Sequence, residues 1–176
     1  MENKLAKDSL TIMNELVLPN DTNTFGNLMG GRLLYWMDIC SAMAAQKHCN
    51  SPVVTVSVDN VSFKRPIKLG EVVTIEAQVT RAFNTSLEVH MEIFAQNLPK
   101  GTKEKSNDAY YTFVAVDRDM NRQQIPKLIP ETEKEIRLYN EAMQRRELRL
   151  ILAGKLNPKS ATELKSLIKI FQNIEQ

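Results

Sequence analysis

Asp38 is the residue hardest to explain as packing. It stands in Tyr35-Trp36-Met37-Asp38-Ile39-Cys40, within a segment from Arg32 to Lys47 that carries Leu33, Leu34, Trp36, Met37, Ile39, Met43, Ala44 and Ala45. Apolar residues on nearly every side mark a buried helix. There an ionised carboxylate costs several kcal/mol unless it is paired or hydrogen-bonded. Gly31 lies seven positions upstream, about two turns at ~3.6 residues per turn, and so shares a helix face with Asp38. With Gly26 and Gly30 it makes a glycine-rich entrance to the helix, where other backbone or a ligand can come close. Unpaired N–H groups at a helix start carry the positive end of the dipole and suit a developing oxyanion. A general base and an oxyanion site could thus flank one carbonyl substrate. The same residues also fit a plainer reading, in which Asp38 bonds a neighbouring backbone group or an arginine and the glycines serve packing.

The other candidates fit quieter roles. His48, near the end of the helix, reads as a surface imidazole favoured by the dipole, and His90 falls on the polar phase of a strand. Neither has companions at metal-ligand spacing, so no metal is expected. Ser41 lacks a nucleophile-elbow setting. Gly26-x-x-x-Gly30-Gly31 is not followed by the Lys-Ser/Thr of a phosphate-binding loop. Cys40 and Cys49 read as buried and structural; on one helix they would lie roughly 13 Å apart at about 1.5 Å per residue, too far to pair. Arg145-Arg146-Glu147-Leu148-Arg149 reads as one solvated helix face.

The elements that must position these residues follow from periodicity. Ser9 to Leu18 reads as a short strand, followed by the turn formers Pro19 to Asn23. Val73, Ile75, Ala77 and Val79, then Leu87, Val89, Met91, Ile93 and Ala95, alternate with mostly polar neighbours, which predicts half-buried antiparallel strands joined through Ala82-Phe83-Asn84-Thr85. Val54, Val56 and Val58 are out of phase with Val61 and Phe63, predicting a β-bulge near Asp59-Asn60. Ala109 to Val116 reads as a well-covered strand after a polar loop, Lys100 to Asn107. Thr132 to Glu135 fits a capping box for a helix that Gly154 ends. A second box, Ser160 to Glu163, precedes a stripe of Leu164, Leu167, Ile168 and Phe171. The expected fold is α+β: a curved antiparallel sheet around a long central helix in residues 1–130, with a C-terminal helical extension over 131–176. Such a sheet keeps open edges, and pairing edges between two subunits would satisfy that backbone, so a dimer is expected.

Composition sets the outer bounds. The 176 residues carry 23 Lys+Arg against 21 Asp+Glu, with 43% apolar and 25% charged residues. A chain of this length and composition can bury a core of its own and is not expected to be disordered. Near-neutrality removes the main argument for a nucleic-acid partner. The first twenty residues lack the unbroken apolar core of a signal peptide, and no apolar run approaches the ~20 residues a bilayer needs. A soluble cytoplasmic protein without a membrane partner is expected.

Several ordered motifs resemble a known family. Leu18 to Gly31 (LPNDTNTFGNLMGG), then Met37-Asp38, then Val54 to Phe63 (VTVSVDNVSF), with Tyr111 to Ala115 and Leu128 to Thr132, resemble the hotdog-fold acyl-CoA thioesterases of the cytosolic acyl-CoA hydrolase type, over roughly residues 9 to 145. The resemblance implies hydrolysis of fatty acyl-CoA to free fatty acid and CoA, without metal or redox cofactor. It implies that Asp38 acts on the thioester carbonyl, by activating water or by direct attack. Asn23, from the partner subunit, would position water or substrate, and backbone near Gly30 and Gly31 would hold the oxyanion. It also implies a homo-oligomer with the dimer as minimal active unit, assembling as a trimer of dimers. For the CoA phosphates the preferred residues are Arg81, Asn84, Thr85 and Ser86, then Lys64 and Arg65. A hotdog dehydratase is disfavoured because the helix interior holds Asp38 and no histidine. The alternative from another class is a binding module that senses acyl-CoA or nucleotide without turnover.

Overall fold

The computed structural model describes residues 2–59, 61 and 65–166. By contact density the chain forms two units, Met1–Ile129 and Pro130–Gln176. In the first, β1 (Lys4–Leu5) pairs in parallel with β7 (Leu128–Ile129) in a small sheet that periodicity did not foretell. The main sheet contains β2 (Thr11–Leu16), β3 (Val53–Asp59), β4 (Val72–Ala82), β5 (Ser86–Asn97) and β6 (Thr102–Ala115) in the order β2-β4-β5-β6-β3, all antiparallel. Helix α1 (Gly30–Cys49) packs on all five strands.

The expected alternation sets the core. Val73, Ile75, Ala77 and Val79 of β4, Leu87, Val89, Met91, Ile93 and Ala95 of β5, and Ala109, Tyr111, Phe113 and Ala115 of β6 are all buried, and so are Leu33, Trp36, Met37, Cys40, Ala44 and Ala45 of α1. Each large apolar side chain so buried stabilises the fold by about 1.5–3 kcal/mol. Cys40 and Cys49 are free and buried; desolvation pushes the Cys40 thiol up to about 11, so it is inert.

Several expectations need correction, among them the solvated face expected at Arg145 to Arg149, since Glu147 is buried. First, α1 is not covered all round: Tyr35 and Met43 are exposed, and Leu34, Asp38, Ile39 and Ala42 are only half-buried. Second, the register shift in β3 lies between Thr55 and Ser57, with Val56 as the extra residue; Asn60 is outside the described residues. Third, most of the supposed loop 100–107 is strand, because Thr102 to Asn107 pair with β5 while Lys103–Glu76 (3.2 Å) and Lys105–Glu92 (2.8 Å) satisfy the charges. Fourth, His48 is a buried imidazole and not a surface one.

His48 has a measurable consequence. Its Nε2–H donates to the Pro126 carbonyl at 2.9 Å, and its Nδ1 is buried without a partner among the described residues. Burial, the main cause, holds its pKa below the ordinary 6.5. An unfolded chain therefore takes up this proton before the folded one does. Stability is expected to fall as pH drops through the unfolded value of about 6.5 and to level off once the folded imidazole protonates. Thermal melts between pH 7.5 and 5.5 should show a flatter pH slope for His48→Gln than for the native protein, and equal slopes would refute the assignment.

In the second unit α2 (Glu133–Leu152) begins at the expected box: Thr132 Oγ1 accepts the Glu135 N–H at 3.2 Å, and Glu135 Oε2 accepts the Thr132 N–H at 2.9 Å. Gly154, at φ +68°, donates its N–H to Ile151 O as the helix ends. The following helical segment, 162–166, is capped otherwise than expected: Glu147 Oε2, from buried Glu147 of α2, accepts the Leu164 N–H at 2.8 Å. Leu167, Ile168 and Phe171 of the proposed stripe lie outside the described residues. No helix among those described is long and apolar enough to cross a membrane.

Candidate active site

Asp38 sits on the open stripe of α1 facing β3. Its Oδ1 accepts a hydrogen bond from Thr55 Oγ1 at 2.8 Å, and its other carboxylate oxygen has no partner among the described residues. It forms no ion pair there. Behind it is buried Tyr111, whose hydroxyl is pushed up to about 12, first by burial and then by the Asp38 charge, so the phenol stays protonated. Asp38 is thus a charge held in place by one neutral hydroxyl, with one oxygen left for chemistry. Thr55 was not singled out in the sequence. Its signals are a hydroxyl placed between Val54 and Val56 and its place in the Val54 to Phe63 motif.

The helix entrance is built by the preceding loop. Leu18 to Asp21 form a short 3-10 turn in which Asp21 Oδ2 accepts the Leu18 N–H at 3.0 Å. The chain then makes an excursion closed by a bridge between Thr22 and Leu28 and by the Met29 N–H on Asp21 O at 2.9 Å. Helix α1 starts at Gly30 with no side-chain cap, and the N–H groups of Gly30, Gly31 and Arg32 meet no acceptor among the described residues. A Cβ added at Gly31 would meet nothing within 4 Å. Among the described residues no other backbone crowds that glycine.

Asn23 shapes its own loop. Its Oδ1 accepts the N–H groups of Phe25 (3.0 Å) and Asn27 (3.2 Å), while its Nδ2 has no partner among the described residues. The end of Asn23 available to a ligand is therefore a donor. Asn23 and Gly30 line one open cleft of about 310 Å³ with Asn27, Leu28, Leu33 and Arg65. Asp38 is not among the residues lining it.

The residues expected to meet CoA fall in two places. Arg65 is in the Asn23 cleft, but Glu71 Oε1 (3.1 Å) and Glu104 Oε2 (2.8 Å) already compensate its charge. Lys64 lies outside the described residues. Arg81, Asn84, Thr85 and Ser86 form the β4–β5 turn, with the Arg81 guanidinium 5.8 Å from the Phe83 ring centre. Arg65 joins the chain near Glu71, before β4, and Arg81 is at its far end. At about 3.3 Å per residue that puts them roughly 30 Å apart along the sheet. The Arg81 turn shares its end of the sheet with Thr55: Thr55 pairs with Phe113, Phe113 with Leu87, and Leu87 with Ala82. Within one chain, Thr55 and its partner Asp38 are level with the Arg81 turn, while Asn23 and Arg65 lie toward the other end.

The chain that carries this arrangement is similar in sequence and fold to known proteins. The family profile described as thioesterase superfamily covers residues 25–102. The acyl-CoA thioester hydrolase YkhA of Bacillus subtilis, itself uncharacterized, is 35% identical over 82% of this chain and 84% of its own length. The chain belongs to the thioesterase superfamily. Its hotdog fold is shared with a hexameric acyl-CoA thioesterase (TM-score 0.84, 38% identity, 87% of this chain and 98% of that one). It is also shared with an acyl-CoA hydrolase of Staphylococcus aureus in complex with butyryl coenzyme A, coenzyme A and coenzyme A disulfide (TM-score 0.77, 31% identity, 98% of each chain). The Staphylococcus aureus enzyme has further been solved with an aspartate, a threonine and an asparagine each replaced by alanine.

Proposed function

We propose that this thioesterase-family chain hydrolyses fatty acyl-CoA to a free acid and CoA, with Asp38 as the group that acts on the thioester. The observation that carries the reading is the Thr55–Asp38 hydrogen bond, which fixes one carboxylate oxygen and leaves the other without a partner among the described residues. That oxygen takes a proton from water, which adds to the thioester carbonyl, or it adds to that carbon itself. The negative charge that develops on the carbonyl oxygen is met by the N–H groups of Gly30 and Gly31, donors with no acceptor among the described residues. The intermediate collapses with breakage of the C–S bond. In the first route the proton held by Asp38 passes to the departing sulfur. In the second a water then hydrolyses the acyl–Asp38 anhydride, releasing the acid, restoring the carboxylate and supplying the proton of the CoA thiol. Along one helix the Gly30 and Gly31 amides lie about 10–12 Å from Asp38 at about 1.5 Å per residue, so these donors, which share the cleft of Asn23, come with Asn23 from the second copy. The reaction as proposed uses no metal or redox cofactor.

Two features support Asn23 acting from a second copy. Asn23 lines a cleft that Asp38 does not reach, and β3, beside Asp38, is an edge strand with Val56 and Val58 exposed. Pairing two such edges would cover the half-open stripe of α1 and bring the donor of one chain toward the carboxylate of the other. The dimer is then the minimal active unit, and a trimer of dimers its larger assembly, in line with the hexameric relative. The alanine substitutions in the Staphylococcus aureus enzyme fall on an asparagine, an aspartate and a threonine separated by fifteen and seventeen positions, as Asn23, Asp38 and Thr55 are. For the CoA phosphates the Arg81 turn is preferred over Arg65, whose charge is already balanced.

The test is release of free thiol from acyl-CoAs of increasing chain length. The native protein should liberate one thiol per acid formed. Tight binding of acyl-CoA with no thiol released at any length would overturn hydrolysis in favour of a sensing module.

A further inference from the structure

Asp21 and Arg32 take no part in the reaction proposed above, yet they form an ion pair at the start of α1. Asp21 is 7% exposed; its Oδ1 lies 2.8 Å from Arg32 Nε, its Oδ2 accepts the Leu18 N–H, and its carbonyl accepts the Met29 N–H. One residue thus closes the loop that carries Asn23 and fastens it to the first turn of the helix. It also brings a full negative charge there. A helix N-terminus carries the equivalent of only about half a positive charge. Uncompensated, the Asp21 carboxylate would outweigh the helix dipole and repel the thioester oxyanion.

We infer that Arg32 is a positioning residue that neutralises Asp21, so that the start of α1 stays positive where the oxyanion forms. Asp21 pins the loop and Arg32 cancels the electrostatic harm of doing so. Arg32 is half-buried, with its guanidinium carbon 5.8 Å from the centre of the Tyr35 ring, which holds it over this first turn. The inference rests on the proposed use of the Gly30 and Gly31 amides.

The three variants Asp21→Asn, Arg32→Gln and the pair together separate this role from a structural one. Asp21→Asn keeps an acceptor for the Leu18 N–H and removes the charge. Arg32→Gln leaves the carboxylate bare and should lower kcat by about 100-fold with KM changed less than about threefold. Asp21→Asn should cost less than about tenfold, and adding it to Arg32→Gln should restore kcat by about tenfold. A merely structural ion pair would make the double variant no better than either single one, and that result overturns the inference. Arg32→Lys, which keeps the charge, carries the test should the glutamine variant not fold: kcat within about threefold of native supports the inference, and a fall below about a tenth refutes it. Asp38→Ala, assayed alongside, keeps the two proposals apart. Thiol release surviving in Asp38→Ala removes the proposed active site itself, whereas its loss without recovery in the double variant removes only the role of Arg32.

Discussion

Replacing Asp38 by Asn is expected to lower kcat for thiol release by about 10²–10⁴-fold, the range for loss of a positioned general base. Asparagine has nearly the same shape, and its Oδ1 can still accept the Thr55 hydroxyl that holds Asp38 at 2.8 Å. The variant should therefore fold, melt close to the native temperature and bind acyl-CoA with little change in KM. What it lacks is an oxygen able to take a proton or to add to a carbonyl carbon. Turnover that survived this change would show that the carboxylate holds β3 against α1 and does nothing more. Asp38→Ala is the harsher companion, since it also strands the Thr55 hydroxyl.

Asn23 can be tested more finely than by deletion. Its Oδ1 caps the N–H groups of Phe25 and Asn27, so Asn23→Ala loosens the loop as well as removing the donor. Asn23→Asp keeps the caps, replaces the Nδ2 donor with an acceptor and adds a negative charge that opposes the oxyanion as well. It should cost about 10²–10³-fold in kcat, as loss of a single well-placed donor does elsewhere. Mixing Asn23→Asp with Asp38→Asn and allowing subunits to exchange should restore activity. In a mixed dimer one site then carries both faults and the other none, so random pairing gives up to about a quarter of native activity. No recovery despite demonstrated exchange would mean that both residues act within one chain.

Much of this architecture was legible in the residues because it repeats. The alternation in Val73 to Val79 and Leu87 to Ala95 places those strands and their inner face directly, and Thr132 with Glu135 marks a helix start within four residues. Interactions between residues distant in sequence were not legible. Thr102 to Asn107 is too polar to announce a strand, and becomes one because β5 offers a backbone ladder and carboxylates to match. His48 looks like a surface residue until Pro126, far along the chain, folds over it. The same limit applies to the site. Asp38 is conspicuous as a carboxylate among apolar neighbours, whereas Thr55 and the Asp21–Arg32 pair are ordinary residue types that gain meaning only from what they touch. Arg65 illustrates the converse: a cation chosen for phosphate proves to be occupied by Glu71 and Glu104.

The vacant volume over Gly31 has an evolutionary meaning. An alanine Cβ would meet nothing within 4 Å among the described residues of one chain and would stiffen the opening turn, adding roughly 0.5–1 kcal/mol to folding. A chain selected for robustness alone would have taken that methyl group. Keeping the bare backbone suggests that closeness of approach at this spot has been worth more to the organism than thermal endurance.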